Sequence, residues 1–290
     1  MILLGELLAS GIAIGAIYGL IGMGFAVIYK STGLANFAQG ELSMVVAYCA
    51  WTIASSVTGN VFVVVFGAIV AGVAIGLTIE RFVMRPMLGE PIFSSVLVTV
   101  ALAVILRSLI TLVWDAYPHA FDLGGGSAII RAGGIGLRAA QIAAIGTLLA
   151  MTAAFFLFFR FSRIGVAMRA VAADDRTALL MGISAERIHA IAWGASSVIA
   201  GIAGVLFAMV YDLSPALYHV GLKAFPASIL GGLDSVIGSG FGGVLVGIVE
   251  NLAGGYIGSG MKDVAGFIMI IVILMIQPFG LFGEREVVRV

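Results

Sequence analysis

Three stretches of this chain gather residues able to do chemistry inside an otherwise apolar text. The first is Ser31-Thr32-Gly33-Leu34-Ala35-Asn36-Phe37-Ala38-Gln39-Gly40-Glu41, where two amides and a carboxylate open a membrane-length apolar run. Polar groups at that depth are costly unless they are paired or face water, so they mark a pathway by default. Asn36, Phe37, Gln39, Gly40 and Glu41 are therefore candidate residues of a translocation path or gate. Two other readings stay open. One is a helix start, with Asn36 as cap and Gln39 and Glu41 in the first turns; the other is contact with a partner chain.

The second stretch, Arg160 to Arg187, holds five of the fifteen basic residues between charge-free runs at 139–159 and 188–211. A polar insert between two membrane-length apolar runs is a loop held at one water interface. Within it, Asp174 to Gly182 reads as a helix of about two turns. Asp174 can cap it, Asp175 suits the dipole ahead of Arg176, and Gly182 suits a left-handed stop. Ser184 then caps the next helix, with Glu186 in its first turn. Ala178, Leu179, Leu180 and Met181 are apolar at a water interface. Either they pack back on the loop's own helices, or they dock into a groove on a soluble partner.

The third stretch, 223–260, is apolar but interrupted by Pro226, Gly231-Gly232, Asp234, Gly238, Gly240, Gly242-Gly243 and Gly254-Gly255. It reads as two half-helices dipping into the membrane, in a place roughly corresponding to the Asn36–Glu41 break. Paired broken helices point to a transport site near the midplane, and Phe225, Gly231 and Gly232 are its candidate residues here. Two further charges lie deep. Arg107 falls about five residues before the outer end of its helix, from where an arginine can snorkel to the interface, which makes it structural. Glu250 faces a partner chain or pairs with Lys223 or Lys262; the sequence does not choose.

Other chemistries find little support. His119, His189 and His219 are scattered beside membrane ends, so no metal site is expected. The Gly124-Gly125-Gly126 and Gly231-Gly232 clusters lack the Lys-Ser/Thr of a phosphate-binding loop, so this chain is not expected to bind ATP in that manner or to be an enzyme. The single cysteine, Cys49, sits in an apolar run and reads as a small core residue.

The elements that must position these residues follow from composition. The 290 residues are 61% hydrophobic and 10% charged, with mean hydropathy +1.18, against roughly 25% charged in soluble domains. This is an integral membrane protein. A formal net charge of zero gives no electrostatic footprint for nucleic acid. No polar stretch is long enough for a soluble domain, so residues 1–290 form one membrane domain. The N-terminus lacks a basic leader region and carries Glu6, so the first span is expected to act as its own insertion signal.

The fold class is all-α and polytopic, with about eight transmembrane helices plus broken or re-entrant segments. Helices are expected near 7–29, 37–57, 61–80, 91–114, 139–160, 188–211 and 264–277, with Thr58-Gly59-Asn60 as the first hairpin turn. Residues 115–138 form a Gly-rich loop with room for a short hairpin. The Gly11/Gly15/Gly19 ladder leaves a bare stripe that admits another helix closely. Ten Lys and Arg residues collect on one face (Lys30, Arg81, Arg85, the five in 160–187, Arg285, Arg289), against four on the other (Arg131, Arg138, Lys223, Lys262). The richer face should be cytoplasmic, with the N-terminus outside and the C-terminus inside, provided 223–260 enters and leaves on one side.

Several blocks carry a family resemblance. Ser162 to Ala172 (SRIGVAMRAVA), followed by Ala178 to Ile183 (ALLMGI), resembles the cytoplasmic loop of branched-chain amino acid ABC transporter permeases of the LivH type. Gly24 to Tyr29 with Asn36 to Glu41, Glu80-Arg81 with Arg85-Pro86, Gly221 to Phe225, Gly231-Gly232-Leu233 with Gly242-Gly243, and Gln277 to Gly283 are similar to further blocks in the same order. Gln39 stands where His is common and Asp234 where a small neutral residue is usual, departures that bear on the ligand and not on the class. The resemblance implies a multi-pass subunit of the bacterial inner membrane. It also implies a second, LivM-like permease, two cytoplasmic ATP-binding cassette subunits carrying ATP and Mg, and a periplasmic amino-acid-binding protein. Asp174, Asp175, Arg176, Ala178, Leu179, Leu180, Met181 and Gly182 would then form the coupling helix. The rival readings are a proton- or sodium-driven carrier, for which only Glu250 offers a mid-helix carboxylate, and a structural scaffold or channel.

Overall fold

The computed structural model describes residues 2–132, 135–173 and 175–283. It is 79% helical, with eleven α-helices among the described residues. α1 (Ile2–Thr32) is followed by α2 (Gln39–Ser56), α3 (Val61–Ile79), α4 (Ile92–Val113) and α5 (Ala139–Phe161). The Arg-rich loop then forms α6 (Arg163–Ala173) and α7 (Asp175–Leu180), before α8 (Ala185–Tyr211), α9 (Tyr218–Gly231), α10 (Val236–Tyr256) and α11 (Met261–Ile276). Six helices (α1, α3, α4, α5, α8 and α10) are long and apolar enough to cross a membrane. The chain is therefore an all-α, multi-pass membrane protein. A two-stranded antiparallel hairpin, β1 (Ile129–Ala132) and β2 (Ile135–Arg138), is the short hairpin for which 115–138 left room.

α1 is the axis of the molecule. Almost all of it is buried, against α10, α8, α9 and α5, whereas α3, α4 and α5 expose broad apolar faces. The Gly11/Gly15/Gly19 stripe meets α10. A Cβ at Gly15 would lie 2.7 Å from the Val244 Cα, and one at Gly19 would lie 2.6 Å from the Gly240 carbonyl oxygen. Two helices in lipid gain no hydrophobic free energy from each other, so such backbone-close packing is what holds them. The expected turn at 58–60 is present: the Asn60 side chain accepts from the Phe62 N–H at 3.0 Å and starts α3.

The 223–260 segment departs from the expectation of two half-helices. α9 is short, 14 residues with Pro226 inside it, but α10 is a continuous helix of 21 residues. Gly240 and Gly243, read as breaks, instead join Gly247 in the face that α10 presents to α1. Both interpretations fit the same letters, because glycine serves breaks and close approaches alike. A true break lies between α9 and α10, where Gly232 adopts φ +103°. That turn reaches the end of the molecule marked by Lys30, whose Nζ donates to the Asp234 carbonyl at 3.0 Å. The C-terminal segment closes over it, with the Leu281 and Phe282 amides donating to the Leu230 and Gly231 carbonyls at 2.8 and 3.1 Å. Of the residues counted for orientation, Arg285 and Arg289 lie outside the described residues.

Candidate functional site

The chain does not run straight from α1 into α2. Residues 33–38 turn back into the interior, and α2 begins at a buried point. Gln39 meets Ser196 and Gly24, and Gly24 lies eight residues before the end of α1, about 12 Å along its axis. Asn36, Gln39 and Ser196 are all fully buried, so their polar atoms need partners from one another. They have them. Asn36 Nδ2 donates to Gln39 Oε1 at 3.0 Å, Gln39 Nε2 donates to Ser196 Oγ at 2.9 Å, and Ser196 Oγ donates to the Gly24 carbonyl at 2.8 Å. Asn36 Oδ1 also accepts from the Ala38 N–H at 3.0 Å, which covers one orphan donor at the start of α2. The helix-start reading of Asn36 therefore describes its local bonds, and the network places that start deep between α1, α2 and α8.

At the next residue of α2, Gly40 abuts Gly221 of α9 so closely that a Cβ there would lie 3.0 Å from the Gly221 Cα. Glu41 is buried and pairs with Arg107 Nη2 of α4 at 2.5 Å. The Arg107 guanidinium carbon also sits 3.4 Å from the centroid of the Tyr218 ring. Arg107 thus turns inward and does not snorkel as its position suggested: a carboxylate and a ring face lie within reach, and a cation at that depth takes a charged partner before it stretches to the interface. Beside this pair, Phe37 stacks on Phe225 of α9 with centroids 5.0 Å apart, and Phe25 of α1 lies 5.3 Å from the same ring. Thr99 of α4 accepts the Phe37 N–H at 3.2 Å.

Of the candidate path residues, Asn36, Phe37, Gln39, Gly40, Glu41 and Phe225 are brought together. Gly231 and Gly232 stand apart, in the α9–α10 turn against Gly238 and the C-terminal segment. Sequence reasoning missed Ser196, Tyr218 and Phe25. Ser196 sits in a charge-free run with no spacing to mark it; Tyr218 gave one usable signal, an aromatic ring seven residues before Phe225 and so on the same helix face.

Glu250 resolves the open choice in favour of Lys223. Lys223 Nζ lies 3.2 Å from Glu250 Oε2 and 2.7 Å from Asp263 of α11, and the Tyr18 hydroxyl donates to Glu250 at 3.0 Å. This network joins α1, α9, α10 and α11.

At the opposite end, α7 stops as its sequence suggested. Gly182 takes φ +82°, the Gly182 N–H donates to the Leu179 carbonyl at 3.0 Å, and the Ile183 N–H donates to the Ala178 carbonyl at 3.0 Å. Those two bonds with a left-handed glycine are a Schellman stop. Ala178 packs back among Met168, Val171 and Ile188. Leu179, Leu180 and Met181 do not: they are 65%, 87% and 78% exposed. Packing within the loop therefore accounts for Ala178 alone. The cap expected of Asp174 lies outside the described residues. Arg85 ties this end together, with bonds of 3.0 Å to Glu80 and 2.8 Å to Glu186 at the start of α8.

A bundle packed on glycine stripes, with a polar helix start and an ion pair buried between its helices, is a multi-pass membrane protein with polar groups held in its interior. The comparisons agree. Residues 7–276 match the family described as branched-chain amino acid transport system / permease component, and the chain belongs to that family. It is 33% identical to the high-affinity branched-chain amino acid transport system permease protein LivH of Escherichia coli (strain K12), over 97% of this chain and 96% of that one. It is 30% identical to the corresponding permease protein BraD of Pseudomonas aeruginosa, over 98% and 97%. A probable LivH of Methanocaldococcus jannaschii is 26% identical over 98% and 92%. No solved structure matches.

Proposed function

We propose that this chain is the membrane subunit of an ATP-driven importer that carries branched-chain or related amino acids into the cytoplasm. In this reading it pairs with a second, LivM-like permease, two cytoplasmic ATPase subunits that hold ATP and Mg, and a periplasmic amino-acid-binding protein, in a bacterial inner membrane. The relatives' names support the substrate class. The observation that carries the energy coupling is α7, a short helix with a firm stop whose Leu179, Leu180 and Met181 project into solvent. Exposed apolar side chains on a short, firmly stopped helix within the Arg-rich 160–187 loop fit a groove on a soluble partner. ATPase closure would push on α7 and, through α6 and α8, on Ser196 and the start of α2. The path would run past Asn36, Phe37, Gln39, Gly40, Glu41 and Phe225, while Gly231 and Gly232 would shape the turn behind it.

Cysteines placed at Leu179 or Met181 on a Cys49→Ala background test this directly. In membranes containing the co-expressed ATPases, each is expected to crosslink to an ATPase. A cysteine at Gly146 on the exposed face of α5 is not. Equal crosslinking at all three positions, or none at any, would remove the coupling role of α7.

A further inference from the structure

Resting on the permease reading, we infer that Arg107 and Glu41 form the zwitterion-reading subsite of the path, with Phe37 and Phe225 beneath them as the apolar subsite for the side chain. Three helices present the same two levels. Tyr218 and Phe225 share a face of α9, about 10 Å apart along its axis; Thr99 and Arg107 share a face of α4, about 12 Å apart; and Phe37 sits in the turn just before α2, four residues ahead of Glu41. An ionic level thus lies about two turns from an aromatic level.

Arg107 itself is incompletely used. It lies about 9 Å from the outer end of α4, within the depth of the hydrocarbon, yet its side chain is 37% exposed. A charged side chain exposed at that depth is costly against acyl chains, so the exposed part of Arg107 calls for water or another polar occupant beside α2, α4 and α9. Its Nε is buried without an acceptor, and one of its five donors meets Glu41. A guanidinium with spare donors beside a carboxylate matches an α-amino acid. The substrate carboxylate takes Arg107, its ammonium takes Glu41, and one ion pair is exchanged for two. Tyr218 holds the guanidinium plane from the other side. With the substrate carboxylate on Arg107, a branched aliphatic side chain pointing along the helices toward the aromatic level meets Phe37 and Phe225, which discriminates by apolar fit.

The test uses the assembled transporter in proteoliposomes, with binding protein saturated by radiolabelled leucine. The double variant Arg107→Met/Glu41→Leu removes both charges at once, so neither is left buried alone. It is expected to co-purify with its ATPases and melt within a few degrees of the parent, while leucine uptake falls at least ten-fold. Uptake within two-fold of the parent would overturn the subsite. The exchanged pair Arg107→Glu/Glu41→Arg is the second arm. It keeps the tie between α2 and α4 but reverses the charges that a bound zwitterion would meet, so uptake is expected to stay lost. Restored uptake would show that the pair is only a structural tie. The permease reading fails differently: the parent itself would take up no leucine despite complete assembly.

Discussion

At the residue scale, the interior of this protein is governed by which buried polar groups have partners. Asn36, Gln39 and Ser196 satisfy one another and the Gly24 carbonyl, so a single deletion leaves donors stranded. An unsatisfied buried group costs about 1–3 kcal/mol. Glu250 is a stronger case, because it is a buried carboxylate held by Lys223 and the Tyr18 hydroxyl. Breaking a buried ion pair from one side costs about 3–5 kcal/mol, whereas removing both charges is often neutral. Lys223→Met should therefore lower the melting temperature of the purified chain by many degrees, and Lys223→Met/Glu250→Leu should recover most of the loss. If Lys223→Met melts like the parent, Glu250 is not held by that lysine. These pairs were only half legible beforehand. The charges announced themselves in the sequence, but Arg107 and Glu41 are 66 residues apart, and nothing local tells an arginine near a helix end to turn inward.

At the element scale, glycine placement decides which helices touch. The α1 stripe was legible because Gly11, Gly15 and Gly19 recur every four residues within an uninterrupted apolar run. The α10 stripe was not, because Gly240, Gly243 and Gly247 sit near Gly231-Gly232 and Pro226, and the whole segment resembled a series of breaks. The neighbouring atoms across the stripe are backbone, which cannot yield as a side-chain tip can. Gly15→Val or Gly243→Val should cost at least about 1–3 kcal/mol by overpacking and sharply reduce monodisperse yield in detergent. Gly146→Ala in α5 has nothing within 4 Å and should leave yield unchanged or slightly improved. Comparable yields for all three variants would mean that α1 and α10 are not held by this seam. The helices that sequence placed best, α3, α4 and α5, are those whose ends carry their own punctuation, Asn60 at the start of α3 and Ser162 after α5.

At the scale of the whole molecule, the buried amide network and the exposed face of α7 are joined by α8. That helix begins beside the Schellman stop at Gly182 and carries Ser196 about 17 Å further along. A push at one end reaches the other through a single rigid element, which is what coupling ATP hydrolysis to transport requires. The measurement that tests this most directly is leucine uptake by reconstituted transporter with ATP supplied inside, with and without an imposed ion gradient, for the parent and for Leu180→Asp. Uptake in the parent should require ATP and ignore the gradient, and Leu180→Asp should abolish uptake while the ATPases still turn over ATP. Uptake that proceeds without ATP and collapses with the gradient would contradict the account, and would move attention to Glu250 and Lys223 as the charge-coupled pair of a carrier.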